Sequence, residues 1–421
     1  MKTIATIAAE LQGYDPQALR VDAVNAFLSR LVEPVTTQES VGIFQALGRV
    51  LAQDVISPIS VPAHDNSAMD GYAFDAAQLR SDAPLTLKIA GTLRAGAGWP
   101  HRVEPGHCIK IMTGAIMPGG LDTVVPQEFV SVDAQTITIP AGILRAGDNR
   151  RLRGEDLMQG QPALHQGQIL TPAALGLLAS LGIAQVAVWR KLRVAYFSTG
   201  DEILSLGQPP REGAVYDSNR YTVFGLLSRL GCEVIDMGVV RDEPAVLEAA
   251  FTRAAQQADA IITSGGVSVG EADYTKLMMK KLGDVAFWKI AMRPGRPMAV
   301  GRIGDAVLFG LPGNPVAVMV TFLTFVRPAL LQMMGSTAAA PPLLKAHSTE
   351  PLRKKPGRTE YQRGIVSTGA DGTLHVQTTG NQGSGVLSSM VQANGLIVLH
   401  HDQGDVATGE LIDVMLFDGV V

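Results

Sequence analysis

The sequence predicts a multidomain protein of the α/β plus β class, with a doubly wound α/β domain, an inserted β domain, a helical linker domain and a C-terminal β barrel. Three observations lead to this prediction. The chain has 421 residues, 46% of them hydrophobic, which is enough for several cores and predicts roughly two to four domains. From residue 190 onward, strands alternate with helices of about ten to fifteen residues, which is typical of a parallel sheet. Gly- and Pro-punctuated β sequence fills residues 58–145 and the C-terminal part of the chain.

The predicted domain boundaries follow these changes of pattern. Helical periodicity flanks the first β-rich stretch on both sides, so the two flanking segments are assigned to one domain. The linker TAAAPP separates the α/β region from the last β-rich stretch. The predicted domains are residues 1–57 with 153–187 (N-terminal helical and linker domain), 58–152 (inserted β domain), 188–335 (doubly wound domain) and 336–421 (C-terminal β barrel).

Short amphipathic helices are predicted in the linker domain. Residues 21–31 and 41–50 carry apolar residues at helical spacing, and Thr36 with Glu39 fits a capping box before the second segment. A further helix is expected to begin at Pro172.

Composition and charge exclude several classes of function. The net charge of −4 and the lack of a long Lys/Arg block argue against nucleic acid as a partner. Cys108 and Cys232 form no CxxC, which argues against a disulfide framework, and no ligand-spaced histidine pair indicates structural zinc. The N-terminus lacks the apolar core of a signal peptide. The apolar run 316–326 is too short to span a bilayer and is followed directly by Arg327 and Pro328. These features predict a soluble cytoplasmic protein without a membrane partner.

Loops that follow parallel strands are expected to share one edge of the sheet, where open α/β sheets bind ligands. The loops concerned are residues 199–202, 241–243, 264–273 and 311–315. Three of them carry carboxylates, including Glu202, Asp242 and Asp273. A single acid of this kind commonly caps a helix. Three at one edge, beside the turn formed by Gly265 and Gly266, favour phosphate chemistry with a metal ion.

An acidic edge needs cationic groups or Mg²⁺ in order to hold a phosphate. Prolines stiffen the MRPGRP loop, which carries Arg293 and Arg296. Lys276 lies in the first turn of a predicted helix and is equally well explained as a solvated residue. The Gly-Gly turn is not a Walker A loop, because no Lys-Ser/Thr follows it at the required spacing. The LPGNP loop is either a simple turn before a helix or a helix start that faces a phosphate. The basic residues available are Lys276, Lys289, Arg293 and Arg296.

A second polar cluster, VPAHDNSAMDGYAF, interrupts the apolar sequence of the inserted domain and contains Ser67 and Asp70. Further polar islands contain Thr113, in MTGA, and Asp156, in RGED. The ordinary explanation of such clusters is a set of Asx turns. Without a partner domain, these residues have no evident task.

Taken in order along most of the chain, these motifs resemble the signature blocks of the molybdopterin molybdenumtransferase (MoeA) family, which includes the E domains of gephyrin and of the plant Cnx proteins. The resemblance implies a doubly wound domain of the molybdopterin-binding type and an elongated homodimer. In this dimer, the doubly wound domain of one subunit would face the DNSAMDGYA domain of the other. The implied reaction is the Mg²⁺-dependent conversion of adenylylated molybdopterin and molybdate to molybdenum cofactor and AMP. The matching blocks are DNSAMDGYA, IMTGA, RGED, STGDE, YDSN, TSGGVSVGEADYTK, RPGRP and LPGNPVA.

The resemblance also implies roles for individual residues. The family often has lysine where Arg293 and Arg296 stand, and arginine keeps the charge but presents a planar fork. Glu202, Asp242 and Asp273 are the expected Mg²⁺ ligands. The expected catalytic residues are Asp70, Thr113, Asp156, Glu202, Asp242 and Asp273. The expected substrate-binding residues are Ser67, Ser264, Gly265, Gly266, Ser268, Lys276, Lys289, Arg293, Arg296, Pro312 and Asn314.

Two other functions are open at this stage. The same fold serves as a non-catalytic scaffold in gephyrin, and the TSGG core alone is also compatible with a molybdopterin adenylyltransferase. The sequence does not distinguish molybdate from tungstate as the oxyanion. The implied partner proteins are the molybdopterin adenylyltransferase and apo-molybdoenzymes.

Overall fold

The computed structural model describes residues 2–11, 13–267 and 274–418. The chain divides into two compact units. The larger, which we call the main unit, comprises residues 1–52, 167–171 and 187–421. The smaller, the inserted unit, comprises residues 53–166 and 172–186. The boundaries of the four predicted domains stay predictions.

A six-stranded sheet forms the centre of the main unit. The first four strands of the sheet run parallel, and each of the last two runs antiparallel to the strand before it. The last strand therefore points in the same direction as the first four, and its end at Lys289 lies at their carboxyl edge. In spatial order the strands are Glu233–Val240, Arg193–Thr199, Ala260–Ser264, Ala306–Leu311, Pro297–Ile303 and Gly283–Lys289.

Both faces of this sheet are buried, as the predicted doubly wound fold requires. Along one strand, Val194 and Tyr196 belong to one hydrophobic core, whereas Ala195 and Phe197 belong to another. Helices cover each face and supply further residues to the two cores. The first core takes Ser218–Arg229 and the helical segment that begins at Pro315, and the second takes Pro244–Gln257 and Tyr274–Leu282. The prediction of a doubly wound domain is confirmed.

The helix that contains the apolar run 316–326 continues past Arg327 to Met333, close to the predicted end of this region near Gly335. It consists of the α-helix Pro315–Thr321, the π-helical turn Phe322–Val326 and the α-helix Arg327–Met333. The segment is long and apolar enough to cross a membrane, but 72% of its most apolar window is buried inside the protein. Such burial is typical of a core helix.

The N-terminal part of the main unit contains the helices Ile4–Glu10 and Val21–Leu31, the second of which was predicted. The helix predicted over residues 41–50 is wrong. That segment contains the strand Gln38–Gly42 and the single helical turn Ile43–Ala46. Glu39 does not act in a capping box, because its carboxylate pairs with the guanidinium of Arg49.

A closed five-stranded barrel forms the C-terminal part of the main unit, as predicted. Its core includes Val376, Ile397 and Val414. The short strand Met292–Arg293 adds in parallel to the start of one barrel strand, so the RPGRP loop is attached directly to the barrel. Around the barrel the strands are Thr359–Thr368, Leu374–Thr378, Leu344–Ser348, Leu411–Leu416 and Gly395–Leu399, and the last pairs with the first.

The inserted unit contains a mixed six-stranded sheet, which confirms the predicted β domain. Alternate residues again fill two cores, with Ala73 in one and Tyr72 and Phe74 in the other. The helix Pro172–Ser180 begins at the predicted residue. In spatial order the strands are Thr123–Pro126, Gly71–Phe74, His107–Ile111, Leu85–Leu93, Thr136–Ile139 and Ser131–Asp133.

Replacing Gly71 with alanine is expected to destabilise the inserted unit. A Cβ atom at Gly71 would overlap the carbonyl oxygen of Val125 on the neighbouring strand. The strands would have to separate, at a cost of about 3 kcal/mol, the upper end of typical overpacking penalties. Chemical denaturation of the purified variant measures this loss. Gly98→Ala is the control, because nothing lies within 4 Å of a Cβ there; equal stability of both variants would contradict the close approach.

Candidate substrate-binding site

Two adjoining cavities open at the carboxyl edge of the main sheet. The first, which we call the arginine cavity, has a volume of about 470 Å³. The second, the Asp217 cavity, has a volume of about 540 Å³. Residues of the arginine cavity include Gly266, Arg293, Arg296, Pro312, Gln382 and Ser384. Those of the Asp217 cavity include Ser198, Thr199, Tyr216, Asp217, Asn219 and Ser264. Both cavities are lined by Glu202, Gly265, Gly313 and Asn314.

The Gly-Gly turn lets the backbone approach its neighbours closely. Gly265 has φ +92° and Gly266 has φ +64°, conformations that side-chain-bearing residues rarely adopt. A Cβ at Gly265 would lie 2.5 Å from the carbonyl oxygen of Thr199, and one at Gly266 would overlap Thr275. The amide of Gly265 donates to the carbonyl of Leu311 at 3.2 Å. Gly265 therefore shapes the cavity wall, while its own N–H is already used within the sheet edge.

Ser264 belongs to a buried cluster of three hydroxyl groups. Its Oγ lies 2.7 Å from Tyr196 Oη and 3.2 Å from Ser198 Oγ, and Tyr196 Oη lies 2.9 Å from Ser198 Oγ. Burial raises the pKa of the Tyr196 phenol well above its ordinary value. The cluster is therefore neutral and joins two strand ends beneath the Asp217 cavity.

The two arginines of the RPGRP loop line the arginine cavity and are exposed to solvent. Between them, Pro294 and Gly295 are buried, and Gly295 has φ +89°. A Cβ at Gly295 would overlap the hydroxyl of Thr321 on the core helix. The loop is thus anchored at its centre and presents a cationic residue on each side.

The two predicted lysines line neither cavity. The ammonium of Lys276 lies 5.0 Å from the ring centroid of Phe287, a cation–π distance. Lys289 is half-buried at the end of the edge strand, where its backbone bonds to Pro16 and Leu19. The positive charge of the arginine cavity therefore comes from the arginines.

The LPGNP loop ends at Asn314, which precedes the helix Pro315–Thr321 without a capping hydrogen bond from its side chain. Its exposed side chain lies at the boundary of the two cavities. The amide of Val316 donates to the carbonyl of Ser384 at 3.1 Å. The helix start is therefore partly covered by a loop of the C-terminal barrel domain.

This loop, residues 381–385, was not among the predicted site residues, nor was Arg363, which holds it in place. Arg363 is only 1% exposed. Its guanidinium donates to the carbonyls of Asn381 at 3.2 Å and Gly383 at 3.0 Å, and to Ser389 Oγ at 2.9 Å. Burial, with a smaller effect of the Arg293 charge, lowers the pKa of Arg363 to about 10. A buried cation therefore stands behind the wall of the arginine cavity.

The three predicted metal ligands have different surroundings. The exposed Glu202 lines both cavities. Asp242 is half-buried and accepts a hydrogen bond from Thr275 Oγ1 at 3.2 Å. Asp273 lies outside the described residues, as does Ser268. Within the described ranges no group of three or more His, Cys, Asp or Glu side chains is placed to hold a metal ion. Asp242 lines neither cavity. Glu202 and Asp242 are both carboxylates, the ligand type through which Mg²⁺ often binds together with substrate phosphates.

In the inserted unit, the structure brings together Asp70 and Thr113. Asp70 Oδ1 accepts from the Thr113 amide at 2.7 Å and from its hydroxyl at 2.8 Å. These bonds, the amide bond most of all, lower the pKa of Asp70. The predicted Ser67 is buried, and its hydroxyl donates to the carbonyl of Met69 at 2.6 Å. Asp156 is exposed.

Replacing Thr113 with valine is expected to raise the pKa of Asp70, although not fully to its ordinary value, because the backbone donor remains. A lowered folded-state pKa gives a stabilisation that is present above the unfolded pKa and is lost as pH falls through the folded pKa. The loss of stability in Thr113→Val is therefore full above about pH 4 and disappears as the pH falls through the pKa of Asp70. Carboxyl-carbon NMR titration measures the shift. In the control Thr86→Val, which removes a hydroxyl bonded to Thr138, the pKa of Asp70 should not move; an unmoved pKa in Thr113→Val would contradict the hydrogen bond.

Comparison with family models gives matches along most of the chain. Residues 19–182 match the MoeA N-terminal region (domains I and II). Residues 195–332 match a probable molybdopterin binding domain. Residues 345–417 match the MoeA C-terminal region (domain IV).

Full-length relatives agree with these matches. A molybdopterin molybdenumtransferase of Haemophilus influenzae is 43% identical over 397 residues, which is 94% of this chain and 98% of the relative. Molybdopterin molybdenumtransferase 2 of Mycobacterium tuberculosis is 37% identical over 400 residues, covering 93% and 97% of the two chains. A crystal structure of a molybdopterin biosynthesis MoeA protein from Pyrococcus horikoshii superimposes with a TM-score of 0.81 at 27% identity, over 95% of this chain and 100% of that one.

Proposed function

The chain belongs to the molybdopterin molybdenumtransferase (MoeA) family, and we propose that it converts adenylylated molybdopterin and molybdate, with Mg²⁺, to molybdenum cofactor and AMP. It is a molybdenum-inserting transferase of molybdenum cofactor biosynthesis. The observation that carries the finer proposal is the arginine cavity, where Arg293 and Arg296 lie beside the Gly-Gly turn and the carboxylate of Glu202.

The arginine cavity suits two kinds of anion, molybdate and the phosphates of the adenylylated substrate. Arginine forms two parallel hydrogen bonds with oxyanions, which fixes their orientation as well as their charge. The buried Arg363 adds a third positive charge behind the wall, where screening by solvent is weak. Placing both anions in one cavity would bring the metal oxyanion close to the anhydride that is cleaved.

Glu202 and Asp242 would hold Mg²⁺ through their carboxylates, together with Asp273, which lies outside the described residues. When bound, Mg²⁺ neutralises charge that develops on phosphate oxygens during cleavage of an anhydride. Cleavage of the P–O–P bond consumes one water and releases AMP and the phosphate monoester of the pterin. In this proposal Glu202, which lies where the two cavities meet, helps to orient the attacking water.

The inserted unit contributes Asp70 and Thr113 to the proposal, with Asp156 by family resemblance alone. Support for the first two comes from their direct hydrogen bonds, which hold an ionised carboxylate in a fixed position. The homodimer, the partner proteins and the cytoplasmic location remain predictions from the sequence.

Two incubations, one with adenylylated molybdopterin and one with ATP and bare molybdopterin, distinguish the proposal from its two alternatives. The purified protein is mixed with adenylylated molybdopterin, molybdate and Mg²⁺, and AMP and protein-free molybdenum cofactor are measured. Release of AMP together with cofactor formation is expected. Binding of the substrate without turnover would support a scaffold. Consumption of ATP with bare molybdopterin would support an adenylyltransferase.

A further inference from the structure

The Asp217 cavity contains three buried side chains whose hydrogen bonding is incomplete, Thr199, Asp217 and Asn219. Asp217 is 4% exposed and Asn219 is 8% exposed. Asp217 Oδ1 accepts from the Arg220 amide at 3.1 Å and so caps the helix Ser218–Arg229, and Asn219 Nδ2 donates to the carbonyl of Gly313 at 2.7 Å. Asp217 Oδ2 and Asn219 Oδ1 have no hydrogen-bond partner among the residues that the structure describes.

The two unpaired atoms of Asp217 and Asn219 are acceptors, whereas the unpaired hydroxyl of Thr199 in the same cavity can donate or accept. A buried polar atom without a partner destabilises the protein, and a ligand that supplies the missing hydrogen bond removes that loss. The nearby Arg220 does not supply it, because its guanidinium forms three hydrogen bonds with Asp236, at 2.6 to 3.0 Å. The expected ligand therefore carries adjacent N–H groups.

The other side of the cavity suits a flat ring. Ile203, Val215 and Tyr216 line it, and the last two are large apolar residues that are 57% and 44% exposed. The hydroxyl of Tyr216 donates to the carbonyl of Gln208 at 2.8 Å, which fixes the ring position. An aromatic heterocycle would cover these surfaces while its polar edge meets the acceptors.

The proposed substrate has two heterocycles, a pterin and an adenine, and their edges differ. A pterin presents its 2-amino group and the N3–H side by side, two donors that match the oxygens of a carboxylate. Adenine presents its amino group beside ring nitrogens that are acceptors, and these would face other acceptors here. We infer that the Asp217 cavity is the pterin subsite, with Asp217 Oδ2 and Asn219 Oδ1 accepting from the pterin N–H edge.

This inference rests on the proposed function for the identity of the substrate. It also gives the substrate a direction, since the donor-rich ring lies in the Asp217 cavity and the anionic groups lie in the arginine cavity. The two cavities share Glu202, Gly265, Gly313 and Asn314, so one molecule can occupy both.

The test compares free pterin with lumazine, in which an oxygen replaces the 2-amino group. Fluorescence titration of the full-length protein is expected to show at least about a tenfold preference for pterin. Asp217→Asn should abolish that preference, because an amide can place a donor where the acceptor was. Asparagine caps helices as well as aspartate does, so the fold is kept. Asp75→Asn is the matched control, since Asp75 also caps a short helix through its side chain, in the inserted unit.

Three results would overturn the inference: equal binding of pterin and lumazine, an unchanged preference in Asp217→Asn, or competition of adenosine with pterin for the site. Binding of a free ring can be measured without turnover. Failure of the pterin-subsite inference can therefore be distinguished from failure of the proposed function. A pterin preference that depends on Asp217, in a protein that inserts no molybdenum, would contradict the proposed function alone. Molybdenum insertion with an unchanged KM in Asp217→Asn and no ring preference would contradict the inference alone.

Discussion

Replacing Arg293 or Arg296 with alanine is expected to lower the affinity for molybdate by about 10- to 100-fold, the loss that corresponds to one or two charge-assisted hydrogen bonds. Both side chains line the arginine cavity, and neither predicted lysine does. The double variant should bind molybdate too weakly to measure by titration calorimetry. Activity at saturating adenylylated substrate should fall with molybdate affinity and recover partly as molybdate is raised.

Two controls accompany these variants. Arg253→Ala removes an exposed arginine from the helix Pro244–Gln257, which lines neither cavity, and should leave molybdate affinity unchanged. Lysine at positions 293 and 296 keeps the charge but loses the planar fork, so an intermediate affinity is expected. If all the alanine variants bound molybdate like the unaltered protein, the oxyanion would have to lie elsewhere.

Replacing Arg363 with methionine is expected to weaken both stability and molybdate binding. The change leaves the carbonyls of Asn381 and Gly383 and the hydroxyl of Ser389 without their donor, at a cost of about 3 kcal/mol or more. The loop that carries Gln382 and Ser384 into the cavity wall would lose its hydrogen bonds to the guanidinium and keep the bond from the Val316 amide to Ser384. Denaturant unfolding and molybdate titration of the same preparation measure the two effects.

Lys354 provides a matched control for this variant. It is 3% exposed in the same barrel domain, and its ammonium donates to the carbonyls of Lys355, His401 and Gln403 at 2.8 to 3.2 Å. Lys354→Met should cost a similar free energy of unfolding but leave molybdate affinity unchanged. Equal loss of molybdate binding in both variants would mean that Arg363 acts only through the stability of the barrel.

The predictable part of the fold is the part with local, periodic signals. The doubly wound sheet could be predicted because each strand is a short apolar run followed by a turn and a helix, as in Arg193–Thr199 and Ala260–Ser264. The helix expected over residues 41–50 failed because two glycines interrupt it and Glu39 pairs with Arg49 through tertiary structure. Hydrophobic spacing alone carries no information about such a long-range ion pair.

The candidate site was predictable to the same extent. Parallel strands end at one edge, so Glu202 and Asn314 could be placed together from the loops that follow the strands, with Arg293 on a neighbouring segment. The loop at residues 381–385 could not, because it belongs to the separate barrel domain and is held at the site by residues distant in sequence, Arg363 and Val316. Nothing in the sequence indicates that Arg363, in the middle of a strand, is buried. Lys276 lines neither cavity, and its ammonium packs on Phe287, which lies on another element.

The central claim is that this chain couples anhydride cleavage to molybdenum insertion at the carboxyl edge of its main sheet. The most direct measurement is the ratio of molybdenum incorporated into the pterin to AMP released, in a reaction of purified protein, adenylylated molybdopterin, molybdate and Mg²⁺. The account predicts a ratio close to one in the unaltered protein, and parallel loss of both products when Arg293 and Arg296 are replaced together. AMP release without molybdenum incorporation, or full incorporation by the double variant, would contradict it.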